Sequence, residues 1–239
     1  MNSYLWNSEW VPTDAPAGTF DRAESWRHLH GRASGLDAHI RRFAGAPVPV
    51  PPGMWEAAVE LLDPAQDLFP RVTVSGQLFR LDIRPAPPAR ATTSLTVTGA
   101  PDPRRTPLVK GPDLVRLADH RARYLVSGTD DVVLGPYAET TTGALVGWEG
   151  DVLVVPQAEH LPSVTQAQVM ERARHVGLRV RIGNLGPTMP LWFLNSVHGI
   201  SPVDWVVTQE ARVRVPARPD SPRWAAWWWD SFQRPWLKG

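Results

Sequence analysis

The prolines of this chain restrict its helices and strands to the segments that lie between them. The 239 residues include 25 prolines, and a proline ends a helix or interrupts the hydrogen bonding of a sheet. Prolines cluster at positions 47–52, 85–88 and 101–107. We therefore expect a small N-terminal domain at 1–90, a Pro-rich connector at 91–107, and a large domain at 108–239 with a tryptophan-rich C-terminal tail.

The segments between the proline clusters alternate between strand and helix patterns. Hairpins are expected at 71–83 and 144–155, where strand-forming runs flank short turns. Further strands are expected at 94–98, 132–134, 179–182 and 191–194. Helical periodicity at 113–125 predicts one helix, and Ser163 with Gln166 forms a capping box that begins another. This mixture predicts an α+β fold rather than a repeating βαβ chain.

The composition excludes several classes of protein. Hydrophobic residues make up 43% and charged residues 21% of the chain, which excludes global disorder. A net charge of +1 argues against a dedicated nucleic-acid binder. The absence of cysteine excludes disulfide scaffolds, thiolate metal sites and a cysteine nucleophile.

The sequence also carries no signal for a membrane or a metal. No apolar run approaches the roughly 18 residues of a membrane span, and the first ten residues lack the pattern of a signal peptide. We therefore expect a cytoplasmic protein with no membrane association. The seven histidines show no HExxH spacing, and we expect no metal site.

Lysine is nearly absent from the chain. Of 25 basic side chains, two are lysine, Lys110 and Lys238, and the rest are arginine. A lysine can become a neutral amine and form a Schiff base, which an arginine cannot do. Lys238 stands next to the C-terminal residue and is expected to be a solvated tail charge. For Lys110, which stands in mid-chain, this pattern leaves both a structural and a chemical role open.

Several segments carry groups that suit an anion. Residues 163–165 begin a helix, whose N-terminal N–H groups attract phosphate. Taken alone, this segment is more simply interpreted as a helix cap whose serine bonds to the helix itself and to no ligand. Residues 195–199 form a small polar turn, and Arg42 offers a guanidinium fork. Glu139 precedes three threonines and is either a ligand-binding acid or a surface carboxylate beside a turn.

The twelve tryptophans are concentrated towards the C-terminus. The tail contains Trp224, Trp227, Trp228, Trp229 and Trp236. Such a cluster can stack on bases or sugars, or it can be buried in the protein or in a subunit interface. Because the net charge is close to zero, burial in the protein or in a subunit interface is favoured over stacking on bases or sugars.

Four sequence blocks, which together span most of residues 20–205, occur in an order known from one family. They are 24–26 with 31–43, 110–114 with 128–131, 138–141, and 161–165 with 195–203. In this order the blocks resemble the class IV aminotransferases, the pyridoxal-phosphate enzymes of fold type IV. The resemblance implies a small α/β N-terminal domain and a larger C-terminal domain with a β-barrel-like sheet. It also places Lys110 where the family has its Schiff-base lysine.

The resemblance implies a role for each matching residue. Lys110 would be the catalytic residue, bonded to the aldehyde of pyridoxal 5′-phosphate and then moving the Cα proton of the substrate. Glu139 would face the pyridine nitrogen of the cofactor, and Leu161 would press on the ring face. The phosphate would be held by Arg42, the N–H groups of Val164 and Thr165, the Thr165 hydroxyl and Ser196. Val197 would be a further cofactor-binding residue.

Within the family, the pattern at 195–203 resembles aminodeoxychorismate lyases, which form 4-aminobenzoate and pyruvate, more than branched-chain or D-amino-acid transaminases. A transaminase is the alternative. The implied partners are a small amino-acid-like substrate and a second copy of the chain in a homodimer. The chain departs from the family pattern at 85–88 and at Asp113. The resemblance places these positions where the substrate would be held, so the identity of the substrate is left open. A non-catalytic binding protein on the same fold is the lesser alternative.

Overall fold

The computed structural model describes residues 1–46 and 48–235. Lys238, expected to be a tail charge, and Trp236, expected in the tryptophan cluster, lie outside the described residues. The chain divides into two compact units. Unit 1 comprises Met1–Pro88, Val109–Pro112 and Trp229–Gly239, and unit 2 comprises Ala89–Leu108 and Asp113–Trp228.

Unit 1 is built on antiparallel strands with two short helices. In chain order its elements are β1 (Asn2–Trp6), β2 (Trp10–Pro12), β3 (Arg22–Ser25), β4 (His28–Leu29), β5 (Arg32–Ala33), α1 (Leu36–Phe43), α2 (Met54–Glu60), β6 (Asp67–Leu68), β7 (Arg71–Ser75) and β8 (Leu78–Ile83). One sheet has the order β2-β1-β8-β7-β3, and a small second sheet has the order β5-β4-β6. The hairpin expected at 71–83 is confirmed, with Ser75 opposite Leu78.

Helix α1 brings the first site residues against strand β3. Its buried face consists of Leu36, His39 and Phe43, which recur at the spacing of one helical face. Phe43 packs edge-on against Trp55 with ring centroids 5.4 Å apart. Since this apolar contact fixes the rotation of α1, the polar His39 is turned into the interior.

Unit 2 contains a closed barrel. Its elements are β9 (Thr93–Thr96), α3 (Leu114–Tyr124), β10 (Asp131–Leu134), β11 (Glu139–Thr140), β12 (Ala144–Glu149), β13 (Val152–Pro156), α4 (Val164–His175), β14 (Arg179–Gly183), β15 (Leu191–Asn195), β16 (Gly199–Val207), β17 (Arg212–Arg214) and α5 (Ser221–Asp230), the last of which ends in unit 1. Strands β11, β10, β9, β16, β15 and β12 close on themselves because β11 pairs with both β10 and β12. The expected α+β fold with a barrel-like sheet is confirmed.

The expected hairpin and helices of unit 2 are also present. In the hairpin expected at 144–155, Glu149 pairs with Val152. The periodicity at 113–125 corresponds to α3. The capping box is confirmed, because the Ser163 hydroxyl accepts a hydrogen bond from the backbone N–H of Gln166 at 3.3 Å. Inside the barrel, Leu95, Leu145 and Phe193 are fully buried.

The division into units differs from the expected domains in three places, one of which is the C-terminal stretch 229–239, expected in the large domain and assigned to unit 1. Residues 91–107, expected as a connector, contain β9, which pairs with β10 and β16 as part of the barrel. The prolines flank this strand and leave its ladder intact. The short segment Val109–Pro112 belongs to unit 1, where the Lys110 carbonyl accepts a hydrogen bond from the Ala23 N–H at 2.8 Å.

Part of the tryptophan-rich tail is packed into unit 2. Trp224 and Trp228 lie one helical turn apart on α5, and both are buried. The Trp224 ring contacts Trp148 and Trp192, with centroids 5.6 and 5.5 Å away. For these two tail residues the expectation of packing is confirmed. In the described part of the chain, no helix is long and apolar enough to cross a bilayer.

Candidate active site

Lys110 lies on a short segment that is fixed against strand β3. Its side chain is 22% exposed, and its Nζ atom lies 3.3 Å from Glu24 Oε1. The next residue, Gly111, has a φ of 144°. A Cβ atom there would lie within 3 Å of the Arg22 backbone, so this close approach requires glycine. The position of Lys110 is therefore set by the contacts of its own carbonyl and of Gly111 with strand β3.

Glu24 gathers three basic side chains around one buried carboxylate. Arg42 donates from Nε to Glu24 Oε2 at 2.8 Å and from Nη2 to Oε1 at 2.6 Å. His39 Nδ1 lies 2.9 Å from Oε1, and Glu24 itself is 1% exposed. We call these four residues, Glu24, His39, Arg42 and Lys110, the Glu24 cluster. It brings together two of the expected site residues, Lys110 and Arg42.

The charges of the Glu24 cluster determine its protonation. Burial opposes ionisation of Glu24, but Lys110, His39 and Arg42 outweigh burial and hold the pKa of Glu24 well below its usual value. Burial lowers the pKa of Lys110, against the opposing effect of Glu24, and the nearby Arg42 lowers it further. Burial likewise lowers the pKa of His39. The cluster thus holds an ionised Glu24, and it makes the Lys110 amine easier to deprotonate than an ordinary lysine side chain.

Arg42, expected as a phosphate ligand, has two of its three guanidinium nitrogens bonded to Glu24. Glu24 was not assigned a role from the sequence, although it stands in the first matching block. The available signal was its place in a strand between Ala23 and Trp26, both of which are buried. An acid in such a strand needs a partner of opposite charge.

In unit 2, Glu139 and Leu161 are brought together from positions 22 residues apart. The backbone N–H of Leu161 donates to Glu139 Oε1 at 3.2 Å. Glu139 is buried on β11, opposite Ala144 of β12, which in turn pairs with Leu194 of β15. Since neighbouring strands lie about 4.8 Å apart, Glu139 and Leu194 are separated by about 10 Å. Ser196, two residues after Leu194, is therefore at the same end of the sheet as Glu139.

A second contact to Glu139 comes from Arg104, which had no expected role. Arg104 Nη1 forms an ion pair with Glu139 Oε1. Its Nε donates to Asp102 Oδ1 at 2.9 Å, so Asp102 fixes its orientation. Burial raises the pKa of Glu139, and the charge of Arg104 and the Leu161 N–H act against that rise. Because Arg104 stands in a proline-rich segment expected to be a connector, its sequence position gave no indication of this contact.

The start of α4 offers unused hydrogen-bond donors. Ser163 caps the N–H of Gln166, and the first backbone bond of the helix runs from Ala167 N to Ser163 O. Within the described residues, the N–H groups of Val164 and Thr165 and the Thr165 hydroxyl make no hydrogen bond. The cap therefore leaves the two expected amide donors available for an anion.

The turn between β15 and β16 is held by its own asparagine. Asn195 Oδ1 accepts hydrogen bonds from Val197 N at 3.0 Å and from His198 N at 2.8 Å. The turn closes where Asn195 pairs with Gly199, whose φ is 67°. The N–H group of Val197, a residue expected to bind the cofactor, is therefore used within the turn itself. The expected site residues thus form two groups, Arg42 with Lys110 in unit 1 and the remaining six in unit 2.

Comparisons with known proteins were made for the sequence and the fold. The family model for amino-transferase class IV matches residues 22–206. A search of the curated proteins finds no match. Among solved structures, the chain is similar to a hypothetical aminotransferase from Mycobacterium tuberculosis in its PLP-bound form. The TM-score is 0.78 at 17% identity, and the match covers 97% of this chain and 98% of that one.

Two further structures show the same fold. The branched-chain amino acid aminotransferase of Escherichia coli matches with a TM-score of 0.76 at 15% identity, over 96% of this chain and 94% of that one. An aminotransferase from Brucella abortus bound to PLP matches with a TM-score of 0.75 at 14% identity, over 96% and 99% of the two chains. With the family model matching more than half of its length, this chain belongs to the class IV aminotransferase family.

Proposed function

We propose that this protein is a pyridoxal-phosphate-dependent enzyme that acts at the Cα of an amino-acid-like substrate. The observation that carries the proposal is Lys110. It is half-buried in the Glu24 cluster, and its pKa is lowered by burial. A lysine with a lowered pKa is more often the neutral amine, which is the form that reacts with an aldehyde. Matched structures hold PLP or pyridoxamine phosphate, which supports the same cofactor here.

The donor groups of unit 2 fit the phosphate of this cofactor. The N–H groups of Val164 and Thr165 and the Thr165 hydroxyl are the unused donors at the start of α4. A helix N-terminus favours a dianion through its unpaired N–H groups and its partial positive charge. Ser196 lies in the neighbouring turn. Arg42, which the family resemblance implies as a phosphate ligand, would add a charged contact.

The remaining residues fit the ring and the proton transfer. Bound pyridoxal phosphate supplies a ring that accepts the electron pair left at the substrate Cα after deprotonation. Neutral Lys110 takes that proton and returns it, as a general base and then a general acid. The Glu139 carboxylate would hold a proton at the pyridine nitrogen, and Arg104 favours the ionised form of Glu139. Leu161 would pack on the ring face.

Two reaction classes share these residues. The pattern at 195–203 supports an aminodeoxychorismate lyase, which releases pyruvate and leaves 4-aminobenzoate. The matched aminotransferases, among them branched-chain enzymes, support a transaminase as the alternative. Both classes need the same proton transfer by Lys110, so the described site residues serve either reaction.

The experiment has two stages, with Lys110→Arg as the matched control because it keeps the charge and removes the nucleophile. Purified protein is first titrated with pyridoxal phosphate, and the absorbance of the bound cofactor is recorded. Aminodeoxychorismate is then supplied without an amino acceptor. Pyruvate release supports the lyase, whereas turnover only with an added 2-oxo acid supports the transaminase. A wild-type protein that binds no more cofactor than Lys110→Arg contradicts the proposal.

We further propose that the protein acts as a homodimer, as the family resemblance implies. The described chain offers part of α5 at its surface, where Trp227 is half-buried. Light scattering after size-exclusion chromatography tests this directly. A mass equal to the 26.5 kDa chain at micromolar concentration contradicts the proposal.

A further inference from the structure

We propose that Trp228 is a positioning residue that holds together the two phosphate-binding segments of unit 2. These segments are the start of α4, with Val164 and Thr165, and the turn at residues 196–198. The inference rests on the proposed function, because it concerns how these donors are kept in place for the cofactor phosphate. It also gives a role to the tryptophan-rich tail, which the family resemblance does not explain.

The first contact of Trp228 is with the turn. Gly199 ends the turn, and a Cβ atom on it would lie within 3 Å of three carbons of the Trp228 ring system. The ring therefore lies directly against the Gly199 backbone. Since Gly199 pairs with Asn195 across the turn, the indole supports the base of the segment that carries Ser196.

The second contact of Trp228 is with α4. Its indole Nε1 donates a hydrogen bond to Gln168 Oε1 at 3.0 Å. Gln168 follows Thr165 by three residues and Val164 by four, so all three lie on one face of the helix. The same indole thus contacts both segments, the turn through its ring and the helix through its N–H group.

Trp228 is itself fixed in position by the anchoring of α5. One turn earlier on this helix, the Trp224 ring packs between Trp148 of β12 and Trp192 of β15. Trp192 Nε1 donates to the Ser221 hydroxyl at the start of α5, at 2.9 Å. Trp228 is 1% exposed. These contacts attach α5 to the barrel and leave the indole little freedom to move.

The predicted effect is specific for phosphate. N–H···O hydrogen bonds form over a narrow range of donor–acceptor distances, about 2.7–3.2 Å, and weaken steeply when the angle is poor, so the two segments must keep their spacing to bind one phosphate together. Glu139 and Leu161, which would contact the ring of the cofactor, are held by their own hydrogen bond and by Arg104. Loss of the indole should therefore weaken phosphate binding and spare the interactions of the ring.

The experiment compares pyridoxal phosphate with pyridoxal, which lacks the phosphate, in equilibrium dialysis against cofactor-free protein. The test variants are Trp228→Phe, which removes the indole N–H and shortens the ring system, and Gln168→Met, which removes the amide that accepts this hydrogen bond and keeps a similar size. The control is Trp227→Phe, the neighbouring position on α5. Thermal melting of each cofactor-free protein identifies variants that do not fold. If Trp228→Phe does not fold, Gln168→Met alone is compared with the wild type.

We expect both test variants to raise the Kd of pyridoxal phosphate by about tenfold. This corresponds to the loss of about one hydrogen bond between the phosphate and a displaced segment. The Kd of pyridoxal should stay the same, and Trp227→Phe should alter neither value. A folded test variant that binds pyridoxal phosphate like the wild type overturns the inference, as does an equal loss for both compounds. If the wild type binds neither compound, the proposed function fails, and this inference fails with it.

Discussion

Glu24 Oε1 lies 3.3 Å from Lys110 Nζ, although the two residues are 86 positions apart in the sequence. The same oxygen also contacts Arg42 and His39. One buried carboxylate thus contacts an arginine, a histidine and a lysine. It orients the lysine amine that is proposed to bear the cofactor. The Glu24 cluster links the stability of unit 1 to the chemistry of Lys110.

Glu24→Gln should destabilise the protein. The substitution leaves Arg42 and Lys110 without their carboxylate, and removal of one partner from a buried ion pair costs about 3 kcal/mol or more. Glu60→Gln, at an exposed position at the end of α2, is the matched control and should change the free energy of unfolding by less than about 0.5 kcal/mol. Urea unfolding of the cofactor-free proteins measures both values. Equal stabilities of the two variants would contradict the role of the cluster.

The rate at which Lys110 reacts with pyridoxal phosphate should rise with pH at lower values than for a free lysine side chain. Reaction needs the neutral amine, and burial lowers the pKa of Lys110 from its ordinary value. Glu24→Gln should move the profile lower still, because Glu24 acts to raise that pKa. Absorbance-detected rates from pH 6 to 10, with Nα-acetyl-lysine as reference, test this. A profile for the wild type that coincides with the reference contradicts it.

Much of the fold could be predicted from local sequence patterns. The hairpins at 71–83 and 144–155, the capping box at Ser163 and the helix at 113–125 depend on neighbouring residues, and the structure has each of them. The closed barrel followed from the family resemblance. Leu161 and Glu139, both expected site residues, contact each other.

Other features could not be predicted because they depend on partners far along the chain. Glu24 and Arg104 acquire their roles from Lys110 and Glu139, which lie 86 and 35 residues away. A strand at 94–98 was expected, but the segment at 91–107 was expected to be a connector, and the pairing of β9 with the distant β10 and β16 in the barrel could not be read from it.

Arg104→Gln should raise the pKa of Glu139 further. Burial already raises that pKa, and the charge of Arg104 is the largest effect that opposes the rise. In the variant, Glu139 should therefore become protonated at a higher pH, and cofactor affinity should begin to fall at a higher pH as the solution is acidified. Dialysis with pyridoxal phosphate between pH 5 and 8 measures this, with the exposed Arg105→Gln as control. Superimposable profiles for all three proteins would show that Arg104 has no such effect.

Ser163→Ala should lower the free energy of unfolding by about 1 kcal/mol, the usual effect of losing an N-cap side chain. The hydroxyl of Ser163 accepts from the Gln166 N–H, and alanine has no acceptor. Ser163→Thr keeps the hydroxyl and should retain most of the stability. Urea unfolding of cofactor-free protein compares the variants, and an alanine variant as stable as the threonine variant would argue against the cap.

The protein should lose stability as the pH falls below about 6.5, the ordinary pKa of histidine. Burial lowers the pKa values of His28, His39 and His120 in the folded protein. Between these folded values and the ordinary one, the unfolded chain binds more protons, so acid favours unfolding. The urea concentrations at the midpoint of unfolding, measured at pH 7.5 and 5.5, test the direction of this change. His39→Gln should show a smaller difference between the two, and a midpoint that rises on acidification would contradict the prediction.

Borohydride reduction followed by peptide mapping identifies the residue that bears the cofactor. Purified protein is incubated with pyridoxal phosphate and reduced, and the labelled peptide is identified by mass spectrometry. We expect one label on Lys110 and none in Lys110→Arg. A label confined to Lys238, or no label on a folded protein, would falsify the assignment of Lys110 as the residue that bears the cofactor.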